Sequence, residues 1–310
     1  MQRTLVCCLL LASAVSAAPR LAWSEEPVGV VDAARESLFG DVYAQPSTWQ
    51  ALPLGSLFSE GWNQPWSSPP PGPGGAPRQG WINAYDGVFY RLGIVTFGYA
   101  QDVANESQYT SSLTLYTPFS RRFEIQTDVP FVVSNVHGPN GNRHSEFGDF
   151  QITPRILLSE SESLTQSFNL TFRTPTGNSR NGNDVSAVTP TWNFWSNPWQ
   201  GLVVRGGAGV AVPFHGSDAG MRTKLIGNLA AGYYFTHHDS VPFGDLVGYL
   251  SLNLGQPVEG RGSERTTVSF TPGFRTHLGA NWYLLGGIEV PVTTPQPFDY
   301  QLTTGLMKVF

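Results

Sequence analysis

The stretch Phe123-Glu124-Ile125-Gln126-Thr127-Asp128-Val129-Pro130-Phe131-Val132-Val133 changes character at almost every step. In an extended chain Phe123, Ile125, Thr127, Val129, Phe131 and Val133 share one face, while Glu124, Gln126 and Asp128 share the other. The same period of two sets Leu164, Phe168, Leu170 and Phe172 against Thr165, Ser167, Asn169, Thr171 and Arg173. It also sets Leu225, Leu229, Ala231, Tyr233 and Phe235 against Lys224, Asn228 and Tyr234, and Val268, Phe270 and Phe274 against Thr267, Ser269, Thr271 and Arg275. Between 88 and 310 there are about twelve such segments: 88–100, 107–117, 123–133, 146–158, 164–174, 187–195, 200–212, 222–236, 245–255, 266–277, 281–292 and 300–310. Each reads as a strand with one apolar and one polar face.

The connections decide how the strands are arranged. Those at 134–145 and 175–186 are long and rich in Gly, Asn and Pro, whereas 118–122, 159–163 and 196–199 are short. An even strand count with long loops on one rim and tight turns on the other describes a transmembrane barrel. A soluble β-sandwich would need more Lys and Glu on its outer face; lysine occurs only at 224 and 308. The expected fold is all-β, a transmembrane antiparallel up-and-down β-barrel of about twelve strands with an irregular N-terminal extension. Trp192, Trp195, Trp199, Trp282 and Tyr283 lie near predicted short turns and are expected to form an aromatic girdle.

Composition agrees. Charged residues are 13% of 310, against roughly 25% in ordinary soluble domains. Glycine occurs 34 times and aromatics make up 13%, which does not describe a charge-rich disordered chain. A net charge of −5 without a Lys/Arg cluster excludes a nucleic-acid footprint. Beyond the N-terminus no run reaches the roughly 20 apolar residues of a membrane helix.

Arg3, the apolar run 5–14 and the small residues of Val15-Ser16-Ala17 read as a secretory signal peptide over 1–17, cleaved after Ala17 or Ala18. Both cysteines, Cys7 and Cys8, lie inside it, so disulfides, thiol catalysis and Cys-bound metal are not expected of the mature chain. The segment 18–87 differs from the remainder. Pro69-Pro70-Pro71-Gly72-Pro73-Gly74-Gly75 supports neither helix nor ladder strand. Yet Trp49, Trp62, Trp66 and Trp81 surround it, a density foreign to plain linkers. The segment is either a flexible periplasmic extension or one that docks, as a plug in the barrel mouth or onto an envelope partner, with Trp62, Trp66 and Trp81 as its anchors.

Parity places Glu124, Gln126, Asp128, Arg155, Asn169, Arg173, Asn193, Arg205, Asn228, Asn253, Arg275 and Glu289 toward the lumen of 88–310. Charges within a membrane face the interior, paired or wetted. Glu124, Asp128, Arg155, Arg173, Arg205, Arg275 and Glu289 are therefore the constriction candidates; they either brace the wall as ion pairs or select a permeant. The remaining motifs carry little chemistry. His144-Ser145 is a poor catalytic pair, because neighbours on a strand face opposite ways, and His277 has no evident serine. His237-His238-Asp239 reads as a solvated turn and 178–184 lacks the EF-hand spacing, so neither metal nor cofactor is expected. Gly206-Gly207-Ala208-Gly209 precedes no helix and is not a phosphate loop.

Phe147-Gly148-Asp149-Phe150-Gln151-Ile152-Thr153-Pro154-Arg155 resembles the Gly-Asp-x-x-hydrophobic-x-Pro-Lys/Arg stretch of barrels named for the meta-pathway of phenol degradation. Arg173-Thr174-Pro175-Thr176-Gly177 resembles the Pro-Thr-Gly that ends the next strand in that family. The resemblance covers about 88–310 and implies an outer-membrane barrel that passes small, often apolar compounds. Phe310, with Leu306 and Leu302 in phase, resembles the C-terminal signal read by the outer-membrane barrel assembly machinery; Lys308 falls in the same phase without being apolar, and is near enough to the rim to snorkel. The leading expectation is a non-enzymatic outer-membrane channel or transporter with both termini periplasmic, partnered by membrane lipid and a small permeant. The alternatives are a structural or interaction barrel and, less favoured, an outer-membrane hydrolase.

Overall fold

The computed structural model describes residues 29–40, 49–103, 105–136, 143–177, 185–216, 222–258, 266–294 and 296–310. The expected signal peptide and the loop 178–184 lie outside the described residues.

The alternating sequence folds into strands β1 (Leu92–Val103), β2 (Glu106–Pro118), β3 (Phe123–Val136), β4 (Arg143–Glu146), β5 (Gln151–Glu160), β6 (Leu164–Arg173) and β7 (Val185–Trp199). The wall continues through β8 (Leu202–Gly216), β9 (Lys224–Tyr234), β10 (Gly244–Pro257), β11 (Thr267–Gly279), β12 (Trp282–Pro291) and β13 (Tyr300–Val309). Sequence neighbours pair antiparallel, and β1 closes on β13 from Leu92↔Val309 to Gln101↔Tyr300. Among the described residues β1–β3 and β5–β13 form a closed wall, which leaves these strands no open edge toward lipid, as a membrane-spanning sheet requires.

β4 and β5 both pair with β3, Val136↔Arg143 to Val133↔Glu146 and Asp128↔Gln151 to Phe123↔Ile156, so they are two halves of one stave and the barrel has twelve. The break has a local cause. Pro130 on β3 has no N–H to continue the ladder, and its carbonyl instead accepts from Gly148 N at 2.9 Å. The two family-like motifs meet there: Phe150 N donates to Thr176 Oγ1 (2.7 Å), Thr176 Oγ1 to Gly148 O (2.8 Å), and Gly177 N to Asp149 Oδ1 (3.1 Å). At the opposite rim β11 and β12 are joined by Ala280-Asn281, with φ of 47° and 58°. That is the mirror-image two-residue turn matching strand twist.

The apolar phases face outward: Phe131, Phe168, Leu229, Phe274 and Leu306 are all exposed. Two expectations are corrected. Of the expected girdle only Trp192, Trp199 and Trp282 are exposed on the outside; Trp195 and Tyr283 are buried in the lumen. Trp195 shares the parity of Asn193, and that parity outweighs nearness to a turn. Lys308 sits at the rim as expected, its Nζ 5.5 Å from the Trp282 ring and 2.6 Å from Ala280 O. The second correction is that the first strand begins at Leu92 and not at 88, because residues 88–91 belong to a segment inside the barrel.

The N-terminal extension contains α1 (Val30–Phe39) and a 3-10 turn at Leu54–Ser56, and it lies across the short-turn rim. Leu52 and Glu160 exchange backbone bonds, both 2.8 Å. Arg122, in the β2–β3 turn, donates from Nε to Glu60 O (3.0 Å), from Nη1 to Leu157 O and Leu158 O (both 2.9 Å), and from Nη2 to Pro53 O (3.2 Å) and Ser56 Oγ (2.9 Å). Burial, with Arg121 beside it, lowers its guanidinium from the ordinary value; the ring of acceptors offsets that cost. A lysine cannot reproduce the planar fork. Arg122→Lys is therefore expected to loosen 49–62, seen as faster protease cleavage there while the heat-resistant barrel band on a gel persists; unchanged cleavage would contradict this role.

Candidate functional site

A barrel of twelve strands is wider than wall side chains alone can fill. Here the chain fills it from its own N-terminal side. Residues 78–91 enter at the short-turn rim, turn back within the lumen and return to start β1. The turn is tight: Trp81 and Ala84 form an antiparallel bridge, and Asn83 takes a left-handed φ of 51°. Asparagine tolerates that region better than most residues.

Wall side chains hold the backbone of this insert. Tyr249 Oη accepts from Ile82 N (2.9 Å) and donates to Ile82 O (3.2 Å). Asn228 Oδ1 accepts from Tyr85 N (2.8 Å) and its Nδ2 donates to Asn83 O (3.0 Å). Arg205 donates to Tyr85 O (3.0 Å) and Gln79 O (2.6 Å), and Arg155 to Val88 O (2.8 Å). Irregular backbone at membrane depth survives only with such partners. Trp81 stacks on Tyr249 with centroids 4.7 Å apart and planes at 9°, and Arg205 lies 4.9 Å from its ring. Wall glycines make the room: a Cβ on Gly232 would fall 2.7 Å from Tyr249 Cβ and 2.8 Å from Trp81 Cη2. Trp81, Ile82, Val88 and Tyr90 thus join Tyr234, Val247, Tyr283 and Leu285 in one buried cluster within the barrel.

The charges converge on one carboxylate. Asp86, the acid of the insert, pairs with Arg205 and, at 3.4 Å, with Arg155. Arg155 also pairs with Glu124, whose other oxygen accepts from Tyr90 N. Arg155, Arg205, Glu124 and Arg275 are each 2% exposed or less. Nearer the rim Arg78 lies 3.5 Å from Glu160 and 4.8 Å from the Trp195 ring.

The expected constriction residues fall on two tiers. Glu124, Arg155, Arg205 and Arg275 surround the insert. Asp128 lies one tier toward the long loops, where register aligns it with Gln151 and Arg173. Glu289, also on that side, accepts from Asn83 Nδ2 at 2.8 Å. Above the insert a polar cavity of about 350 Å³ is floored by Ala84, Tyr85 and Asp86 and walled by Asp128, Gln151, Thr153, Thr191 and Asn193. A second cavity, about 180 Å³, lies by Asn253, Ser269 and Glu289. Trp66 is buried with Leu52, Phe89 and Leu157, and Trp62 Nε1 donates to Leu57 O at 2.6 Å. Sequence reasoning missed the inward tyrosines Tyr249 and Tyr283, whose parity marked them, and the insert residues Asn83 and Asp86, which nothing local marked.

His238 and His277 pack against each other. His238 Nδ1 is 2.7 Å from Asp245 Oδ2, and its ring stacks on His277 at 4.2 Å. The side chains of His144 and Ser145 lie outside the described residues.

A closed, lipid-facing barrel with a polar lumen defines an outer-membrane barrel of the channel class. The chain belongs to the family described as "Putative MetA-pathway of phenol degradation", whose model matches residues 89–297. Among solved structures it is similar to the COG4313 outer membrane channel from Pseudomonas putida F1, at 14% identity and a TM-score of 0.55, covering 75% of this chain and 100% of that one. It also matches the KdgM porin, at 12% identity and a TM-score of 0.45, over 70% and 99% of the two chains. No curated protein matches the chain.

Proposed function

We propose that the protein is a passive outer-membrane channel for a small molecule and that residues 78–91 are its plug. The observation that carries this reading is Asp86 between Arg205 and Arg155, a single carboxylate fastening an irregular segment in mid-barrel. The short-turn rim, where β1 begins and β13 ends, faces the periplasm in this reading, with the long loops outside. Phe310, exposed at that rim, is the residue offered to the assembly machinery. The family description and the likeness to an outer membrane channel support passage. Trp66 and Trp81 are packed inside the chain, which disfavours their use as anchors for an envelope partner.

Single-channel recording of the full chain and of Asp86→Asn tests the proposal. Breaking a buried pair costs about 3–5 kcal/mol, and each 1.4 kcal/mol is about tenfold in the closed–open balance. The wild type is expected to stay closed for long intervals and the variant to raise the open fraction at least tenfold, by about that rule. Equal conductance from both would remove the plug; silence from both would remove the pore.

A further inference from the structure

The groups that hold the insert are those a ligand site would use. Trp81 presents a flat ring between Tyr249 and Arg205, with its Nε1 3.3 Å from Tyr234 Oη. Asp86 presents a carboxylate to Arg205 and Arg155. Arg205 touches both, so ring and carboxylate meet on one guanidinium. Next to them Arg275 is fully buried between Tyr234 (5.6 Å) and Tyr283 (4.9 Å), and its Nε, Nη1 and Nη2 have no hydrogen-bond partner among the described residues. An unpaired guanidinium is costly to bury, so the tier has more cationic capacity than the insert uses.

With the insert withdrawn, Arg155, Arg205 and Arg275 would face the lumen against Glu124 alone on this tier, beside an aromatic slot. We infer that the insert is an internal mimic of the permeant, and that the cleared lumen takes a small aromatic carboxylate. Its ring replaces Trp81 on Tyr249, and its carboxylate replaces Asp86 on the arginines. This rests on the plugged-channel reading above. Arginine is suited to both halves of such a ligand, stacking on the ring and pairing with the carboxylate. Permeation then follows the usual rule for channels, binding strong enough to admit the ion and weak enough to release it.

The test uses the full chain carrying Trp81→Ala and Asp86→Asn, with heat-modifiable gel mobility as the folding control. In a potassium chloride gradient across a planar bilayer the reversal potential is expected near that of chloride. Added benzoate is expected to suppress the chloride current at concentrations about tenfold below acetate or benzyl alcohol, a difference of about 1.4 kcal/mol. Arg205→Gln in the same background is expected to abolish that preference. Cation selectivity, or equal suppression by benzyl alcohol, overturns the ligand class and leaves the channel standing. A silent variant that is folded overturns the channel and the inference with it. A second measurement needs no variant: benzoate, and not acetate, is expected to expose 78–91 of the wild type to protease, because a ligand that takes the slot displaces its occupant. Protection unchanged at saturating benzoate counts against the mimic.

Discussion

Arg155→Met will release the insert and destabilise the barrel's short-turn half. Arg155 pairs with Glu124, reaches Asp86 at 3.4 Å and donates to Val88 O at 2.8 Å. Its loss strands a carboxylate on Glu124 with no water to reach it, since that residue is fully buried. Removing one member of such a pair costs about 3–5 kcal/mol, whereas replacing the pair together is often close to neutral. Urea unfolding in detergent is expected to show the large loss for Arg155→Met and a marked recovery in Arg155→Met/Glu124→Gln. The non-additivity of that cycle measures the coupling. Losses that simply add would mean that the two residues act separately.

Gly232→Leu will expel Trp81 from its slot. A Cβ already meets Tyr249 Cβ at 2.7 Å and Trp81 Cη2 at 2.8 Å, and the leucine branch would occupy the volume of the indole edge. The wall has less freedom to yield than the insert. β9 is hydrogen-bonded to β8 and β10 along its length, whereas Trp81 sits on a turn held by a handful of side chains. Burial of a large apolar side chain is worth about 1.5–3 kcal/mol, and the substitution forfeits it. The expected result is a folded barrel with increased conductance and an insert open to protease. A variant that remains as closed as the wild type would show that Trp81 does not position the plug.

Strand, stave count and facing were legible because lipid imposes a simple rule on a barrel wall. Every second residue from Phe123 to Phe131 turns to lipid and all but Thr127 are apolar, while the polar phase has only the lumen to face; a register shift beside Pro130 then turns Val133 inward, where it is buried. The same rule put Glu124, Arg155, Arg205 and Arg275 inside. Trp195 and Tyr283 were misplaced by giving nearness to a turn more weight than parity. The break between β4 and β5 was written in Pro130 and Gly148, though its meaning needed the facing strand.

What the sequence by itself determined is the barrel, its closure and the identity of its inward charges, since these follow from a period of two repeated along a continuous wall. Only the tertiary structure decided what those charges do. Asp86 lies well before Arg155 and Arg205 in the chain, in a segment of no regular period, and Asn83 meets Glu289 from the far end of the sequence. An irregular segment carries no pattern that announces its partners. Its place is set by the volume a twelve-stave lumen leaves unfilled, and by the requirement that buried charge and bare backbone find one another there.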